Sequence, residues 1–63
     1  MATRIVFTDG RETVVSESES DIAMAVRRDH PNPVRLEGED GVVVYINWSN
    51  VELIAPKPDP ALR

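Results

Sequence analysis

The 63-residue chain contains no cysteine, one histidine and one lysine. The first absence excludes a disulfide framework, thiolate zinc sites, haem attachment and a cysteine nucleophile, and it removes the commonest reinforcement of a small domain. Three glycines, Gly10, Gly38 and Gly41, are all that occur. Each falls where a hairpin turn needs it, so none is left for a phosphate-cradling loop, and no cofactor is expected. The aromatics are Phe7, Tyr45 and Trp48, one of each kind. No apolar run approaches the length of about 18 residues that a membrane helix requires. Met1-Ala2-Thr3-Arg4 leads into a short apolar-rich stretch rather than the long hydrophobic core of a signal peptide, which points to a cytoplasmic protein.

What is present is a moderately apolar, acidic chain: 41% hydrophobic, 29% charged, with a formal net charge of -4. A chain this short buries roughly 60% of the surface its unfolded form exposes, which allows one domain of marginal stability. Net negative charge repels phosphate backbones and anionic lipid, so nucleic acid and membrane are disfavoured as partners. Six of the seven basic residues are arginine.

Asp9-Gly10, between Arg4-Ile5-Val6-Phe7-Thr8 and Arg11-Glu12-Thr13-Val14-Val15, reads as the turn of a hairpin. With Asp9 and Gly10 as its two turn residues, Ile5 faces Val14 and Phe7 faces Glu12, which sets Ile5, Phe7 and Val14 on one face. Ser16 to Asp21 supplies capping residues and acids, and Arg27-Arg28 places cations at the other end of Ile22-Ala23-Met24-Ala25-Val26. This predicts a helix from about Ser18 to Arg28, stopped by Pro31 and Pro33, with Ile22, Ala25 and Val26 inward. A second hairpin is predicted over Val34 to Asn47, turning near Asp40-Gly41, followed by a last strand at Val51 to Ile54.

The strand Val42 to Ile46 is the feature that points toward association. A turn of two or four residues within Gly38 to Gly41 places Val34, Leu36, Val43 and Tyr45 on one face and Val42, Val44 and Ile46 on the other. Both faces are then apolar, as in strands covered on both sides, and one helix cannot cover two faces. Either the sheet curls so that the last strand covers the second face, or that face or a sheet edge meets another chain.

Chemical candidates are few. His30 beside Asp29, near Glu39 and Asp40, lacks the convergent ligand spacing of a zinc site, and Glu37-Gly38-Glu39-Asp40-Gly41 lacks that of a calcium loop, so no metal and no catalytic residue is assigned. Ser16, Ser18 and Ser20 have no nucleophile elbow around them and read as caps, in an acidic context that also fits phosphorylation. Asn47-Trp48-Ser49 has the form of a glycosylation sequon, without relevance in a cytoplasmic chain. Trp48 either caps the core or anchors an interface. An alternative arginine surface for single-stranded nucleic acid would pair Arg4 with Arg11 and, separately, Arg27 with Arg28.

From Val34 onward, the hairpin turning at Asp40-Gly41, the strand ending in Asn47, and Val51 and Ile54 resemble the closing half of small bacterial proteins. The flagellar FlbD type is similar at Ile46-Asn47 through Ile54, with Trp48 where many such sequences have proline. Certain uncharacterised actinobacterial proteins are similar with the segment Asp21 to Arg28 included. The resemblance implies a small bacterial protein without enzymatic activity and transfers no functional residue.

The expected protein is an α+β domain over residues 1–55, with a mostly antiparallel sheet of four or five strands and one short helix in the order β-β-α-β-β-β, and a proline-rich tail over 56–63. Its expected core is Ile5, Phe7, Val14, Leu36 and Tyr45. Its expected role is a non-enzymatic interaction module, a homo-oligomer or accessory subunit using Val42, Val44, Ile46 and Trp48.

Overall fold

A computed structural model describes residues 2–57. It contains β1 (Thr3–Phe7), β2 (Glu12–Val15), α1 (Glu19–Asp29), β3 (Val34–Glu37), β4 (Val43–Ile46), a single 3-10 turn (Trp48–Asn50) and β5 (Val51–Pro56). The expected α+β class and element order are present. The strands form two antiparallel sheets, one of order β2-β1-β5 and one of β3 with β4. The sheets meet at a bridge between Val15 and Gly38, and the Ser16 amide donates to the Glu37 carbonyl at 2.8 Å.

Both hairpins correct the expected register by one residue. In the first, Ile5 pairs with Thr13 and Arg4 with Val14, so the loop is Thr8-Asp9-Gly10. The Phe7 amide donates to the Arg11 carbonyl, and Gly10 takes φ +89°. In the second, Leu36 pairs with Val44 and Val34 with Ile46, the loop is Glu39-Asp40-Gly41, and Gly41 takes φ +85°. A three-residue loop closed by a left-handed glycine is the next commonest hairpin connection after the two-residue turn, and Asp-Gly suits both. In each loop the aspartate carboxylate accepts the amide two residues ahead, Asp9 from Arg11 and Asp40 from Val42. Gly38 is therefore a buried bridge residue and not part of the turn.

A one-residue shift exchanges the faces of a strand. Val15, not Val14, enters the core beside Ile5. Val44 and Ile46 join Val34 and Leu36 on the inner side, while Tyr45 points outward at 68% exposure. The core consists of Ile5, Val15, Ile22, Ala25, Val34, Leu36 and Ile46, with Phe7, Val26, Val44, Trp48, Val51 and Ile54 packed around it. Val14 and Tyr45 are thus removed from the expected core, and Phe7 is at its margin.

The helix forms as its sequence dictates. Ser18 is the N-cap, its Oγ accepting from the Asp21 amide at 3.2 Å, and acids in the first turn and Arg27 and Arg28 in the last complement the dipole. Its apolar stripe puts Ile22 and Ala25 against the core. The chain then turns at His30-Pro31, a cis peptide, and Pro33. The last strand does not fold over the outer face of β4. It pairs with β1, with Ile54 opposite Ile5 and an irregularity after Val6. Pro56 belongs to β5 opposite Thr3, and the Lys57 amide donates to the Ala2 carbonyl at 3.1 Å, so the sheet runs past the expected boundary at residue 55. The rest of the expected tail, 58–63, lies outside the described residues.

Candidate functional site

The distinguishing geometry lies at the edges of the two sheets. In an antiparallel pair, alternate residues direct their peptide groups toward the partner strand and away from it. The Gly38 amide donates to the Val42 carbonyl at 2.8 Å, which makes Leu36 with Val44 and Val34 with Ile46 the hydrogen-bonded pairs. The peptide groups of Arg35 and Glu37 therefore face outward on the β3 side, and those of Val43 and Tyr45 face outward on the β4 side.

The β3 edge is closed by two carboxylates. Glu17, in the loop before α1, accepts the Glu37 amide at 2.9 and 3.1 Å, and the Ser16 hydroxyl and amide donate to the Glu37 carbonyl. Asp29, the last residue of α1, accepts the Arg35 amide at 3.1 Å. Its carboxylate also receives Arg28 Nε at 2.7 Å and the terminal guanidinium nitrogen at 2.8 Å. The Arg28 hydrogen bonds, followed by the Arg35 amide, hold the Asp29 carboxyl down to about 2. The same contact pushes the Arg28 guanidinium up.

The outer edge of β5 is blunted differently. The Ala2–Lys57 contact fixes its phase, so Ile54 and Pro56 direct their peptide groups outward, and Pro56 has no amide hydrogen to offer. Glu52 sits at the register shift, an irregularity that further disfavours pairing.

The β4 edge carries none of these devices. Val43-Val44-Tyr45-Ile46 has no charge, proline or bulge, and the Val43 and Tyr45 amides have no partner among the described residues. Beside that edge, Val42 is 58% and Val43 38% exposed. Tyr45 stands between two clefts, one lined by Phe7, Asp9, Arg11, Asn47 and Asn50, the other by Arg28, Asp29, Asn32 and Arg35.

Of the four residues expected at an interface, Val42 is exposed, Val44 half-buried beneath the edge, and Ile46 buried in the chain's own core. Trp48 packs against the core from the 3-10 turn. That turn is capped by Asn47, whose Oδ1 accepts from the Ser49 amide and hydroxyl, which gives the Asn-Trp-Ser triplet a structural reason. Reading the sequence with the other parity overlooked Val43 and Tyr45, which carry the outward apolar surface. Arg4 and Arg11 lie on the first hairpin and Arg27 and Arg28 at the end of α1, and three are held by carboxylates: Arg4 by Glu12, Arg11 by Asp9 and Arg28 by Asp29. The Arg11 contacts hold the Asp9 carboxyl below the usual carboxylate range. Among the described residues no group of three or more His, Asp or Glu side chains could hold a metal ion. No helix there is long and apolar enough to cross a membrane.

No family model, curated protein or solved structure matches this chain.

Proposed function

We propose that the protein is a small cytoplasmic, non-enzymatic interaction module that acts as a homo-oligomer, with the β3–β4 hairpin as its association surface. The observation that carries this reading is the contrast between edges. The outer edges of β3 and β5 are closed or blunted, and that of β2 carries the charged Glu12 and ends in the Val15–Gly38 bridge, whereas β4 presents unpaired amides along an uncharged strand beside exposed Val42, Val43 and Tyr45. A flat, uncharged apolar edge is a template for strand pairing and is ordinarily protected in a monomer. The small core, seven side chains among the described residues, supports the same reading, because association supplies burial that a chain of this length lacks. The ion pairs of Arg4, Arg11 and Arg28 and the net charge of -4 weigh against a nucleic-acid role.

Light scattering during size exclusion, at two protein concentrations and in low and high salt, tests the proposal. A mass at a multiple of 7.0 kDa that persists in high salt is expected, since backbone pairing and apolar contact are little screened. A mass of 7.0 kDa under every condition would overturn it.

A further inference from the structure

We infer that the partner of β4 is β4 of a second copy, paired antiparallel about a two-fold axis through Val44, so that Val43 of each chain faces Tyr45 of the other. This rests on the reading of β4 as the association edge and specifies its register. Outward-facing peptide groups must oppose outward-facing ones, so Val43 and Tyr45 can meet only each other's kind. Three two-fold registers satisfy this, centred on Val43, Val44 or Tyr45.

The directly opposed side chains separate them. On the outer face Arg35 is the neighbour of Tyr45, and Glu37 is the neighbour of Val43. Centring on Tyr45 builds the row Arg35, Tyr45, Tyr45, Arg35, with like charges at both ends, and sets Val43 against Asn47. Centring on Val43 builds Glu37, Val43, Val43, Glu37 and sets Tyr45 against Gly41. Centring on Val44 gives two identical rows, each running Arg35, Tyr45, Val43, Glu37 across the joined sheet, with opposite charges at the ends and an aromatic against a β-branched side chain in the middle. It alone pairs both outward-facing residues, Val43 and Tyr45, with outward-facing residues of β4 in the second copy. On the inner side it sets Val44 against Val44 and the exposed Val42 against Ile46. The two chains exchange four backbone hydrogen bonds, from the Val43 and Tyr45 amides and carbonyls, and the result is one four-stranded sheet. The interface is isologous and closes at two copies.

The absence of cysteine makes the register directly readable. Directly opposed residues lie about 4.5–5.5 Å apart at Cα, within the span of a disulfide. Val43→Cys, Val44→Cys and Tyr45→Cys are made singly and oxidised, and Val43→Cys is also oxidised in equal mixture with Tyr45→Cys. Circular dichroism verifies the fold of each variant. The expected result is a non-reducing band at twice 7.0 kDa for Val44→Cys alone and for the mixture, with no such band from Val43→Cys or Tyr45→Cys alone. The mixture uses two exposed positions and so reports even if substitution at half-buried Val44 disturbs folding. A self-crosslink of Val43→Cys or Tyr45→Cys would overturn this register while leaving association at β4 standing. A dimer that none of these pairs crosslinks would place the interface elsewhere, and a monomeric parent chain would overturn both readings.

Discussion

The Asp29 carboxylate lies 3.1 Å from the amide nitrogen of Arg35, and this one contact ties the end of α1 to the outer edge of β3. The same carboxylate holds Arg28, which with the Arg35 amide depresses its pKa to about 2. A carboxyl whose folded-state pKa is lowered stabilises the fold above its unfolded pKa of about 3.9 and loses that contribution as pH falls through the folded value. Urea midpoints are therefore expected to fall between about pH 4 and pH 2. In Asp29→Asn the fall is expected to be shallower, with the two proteins closest at the acid end. Parallel curves for the two would show that the pairing contributes nothing.

Removing both edge carboxylates reaches the assembly as well as the fold. Glu17→Ala with Asp29→Ala frees the Glu37 and Arg35 amides and, with Ser16 still on the Glu37 carbonyl, opens the β3 edge in part. A closed dimer with two further edges so opened can extend by strand pairing, so the mass should rise with concentration beyond the value for the parent chain. Circular dichroism verifies that the variant is folded. A folded variant with unchanged mass would show that these carboxylates do not guard the edge.

Thr3 is the buried polar residue of β1, at 1% exposure, and its hydroxyl donates to the Glu17 carbonyl at 2.7 Å. Thr3→Val keeps the shape and leaves that carbonyl without its partner. A loss of about 1–2 kcal/mol is expected, read as a lower urea midpoint at unchanged slope. In a domain of this size that is a substantial part of the total stability.

Gly41 adopts φ +85° with open space where a Cβ would stand, so the cost of a side chain there is conformational rather than steric crowding by neighbours. Gly41→Ala is expected to cost about 1 kcal/mol in chemical denaturation, and Gly41→Asn less, because asparagine tolerates the left-handed region better. Equal losses for the two would argue against that conformation in the loop.

The local elements were legible because each has a local cause. Ser18, the acids after it and Arg27-Arg28 define the helix within about a residue, and the Asp-Gly pairs locate both turns. Loop length was not legible, since Asp-Gly fits a two-residue turn and equally a three-residue loop closed by glycine. That ambiguity exchanged Val14 for Val15 and brought Val44 and Ile46 inward in place of Val43 and Tyr45. A usable signal lies in the aspartates, each accepting the amide two residues ahead, although the same residue type is common in turns of several kinds. The pairing of β5 with β1 and the closure of β3 by Glu17 and Asp29 join residues distant in sequence, where no local periodicity reports.

Amide hydrogen exchange, resolved residue by residue by NMR at a concentration used for the mass measurement, tests the role of β4 most directly. Val44 and Ile46 donate to β3 within one chain and should be protected in any case, as should Arg35 and Glu37 to the extent that Asp29 and Glu17 hold them. Protection is expected at Val43 and Tyr45 as well, lost on dilution as chains separate. Exchange of these two amides at the unprotected rate, beside slow exchange at Val44 and Ile46, would contradict it.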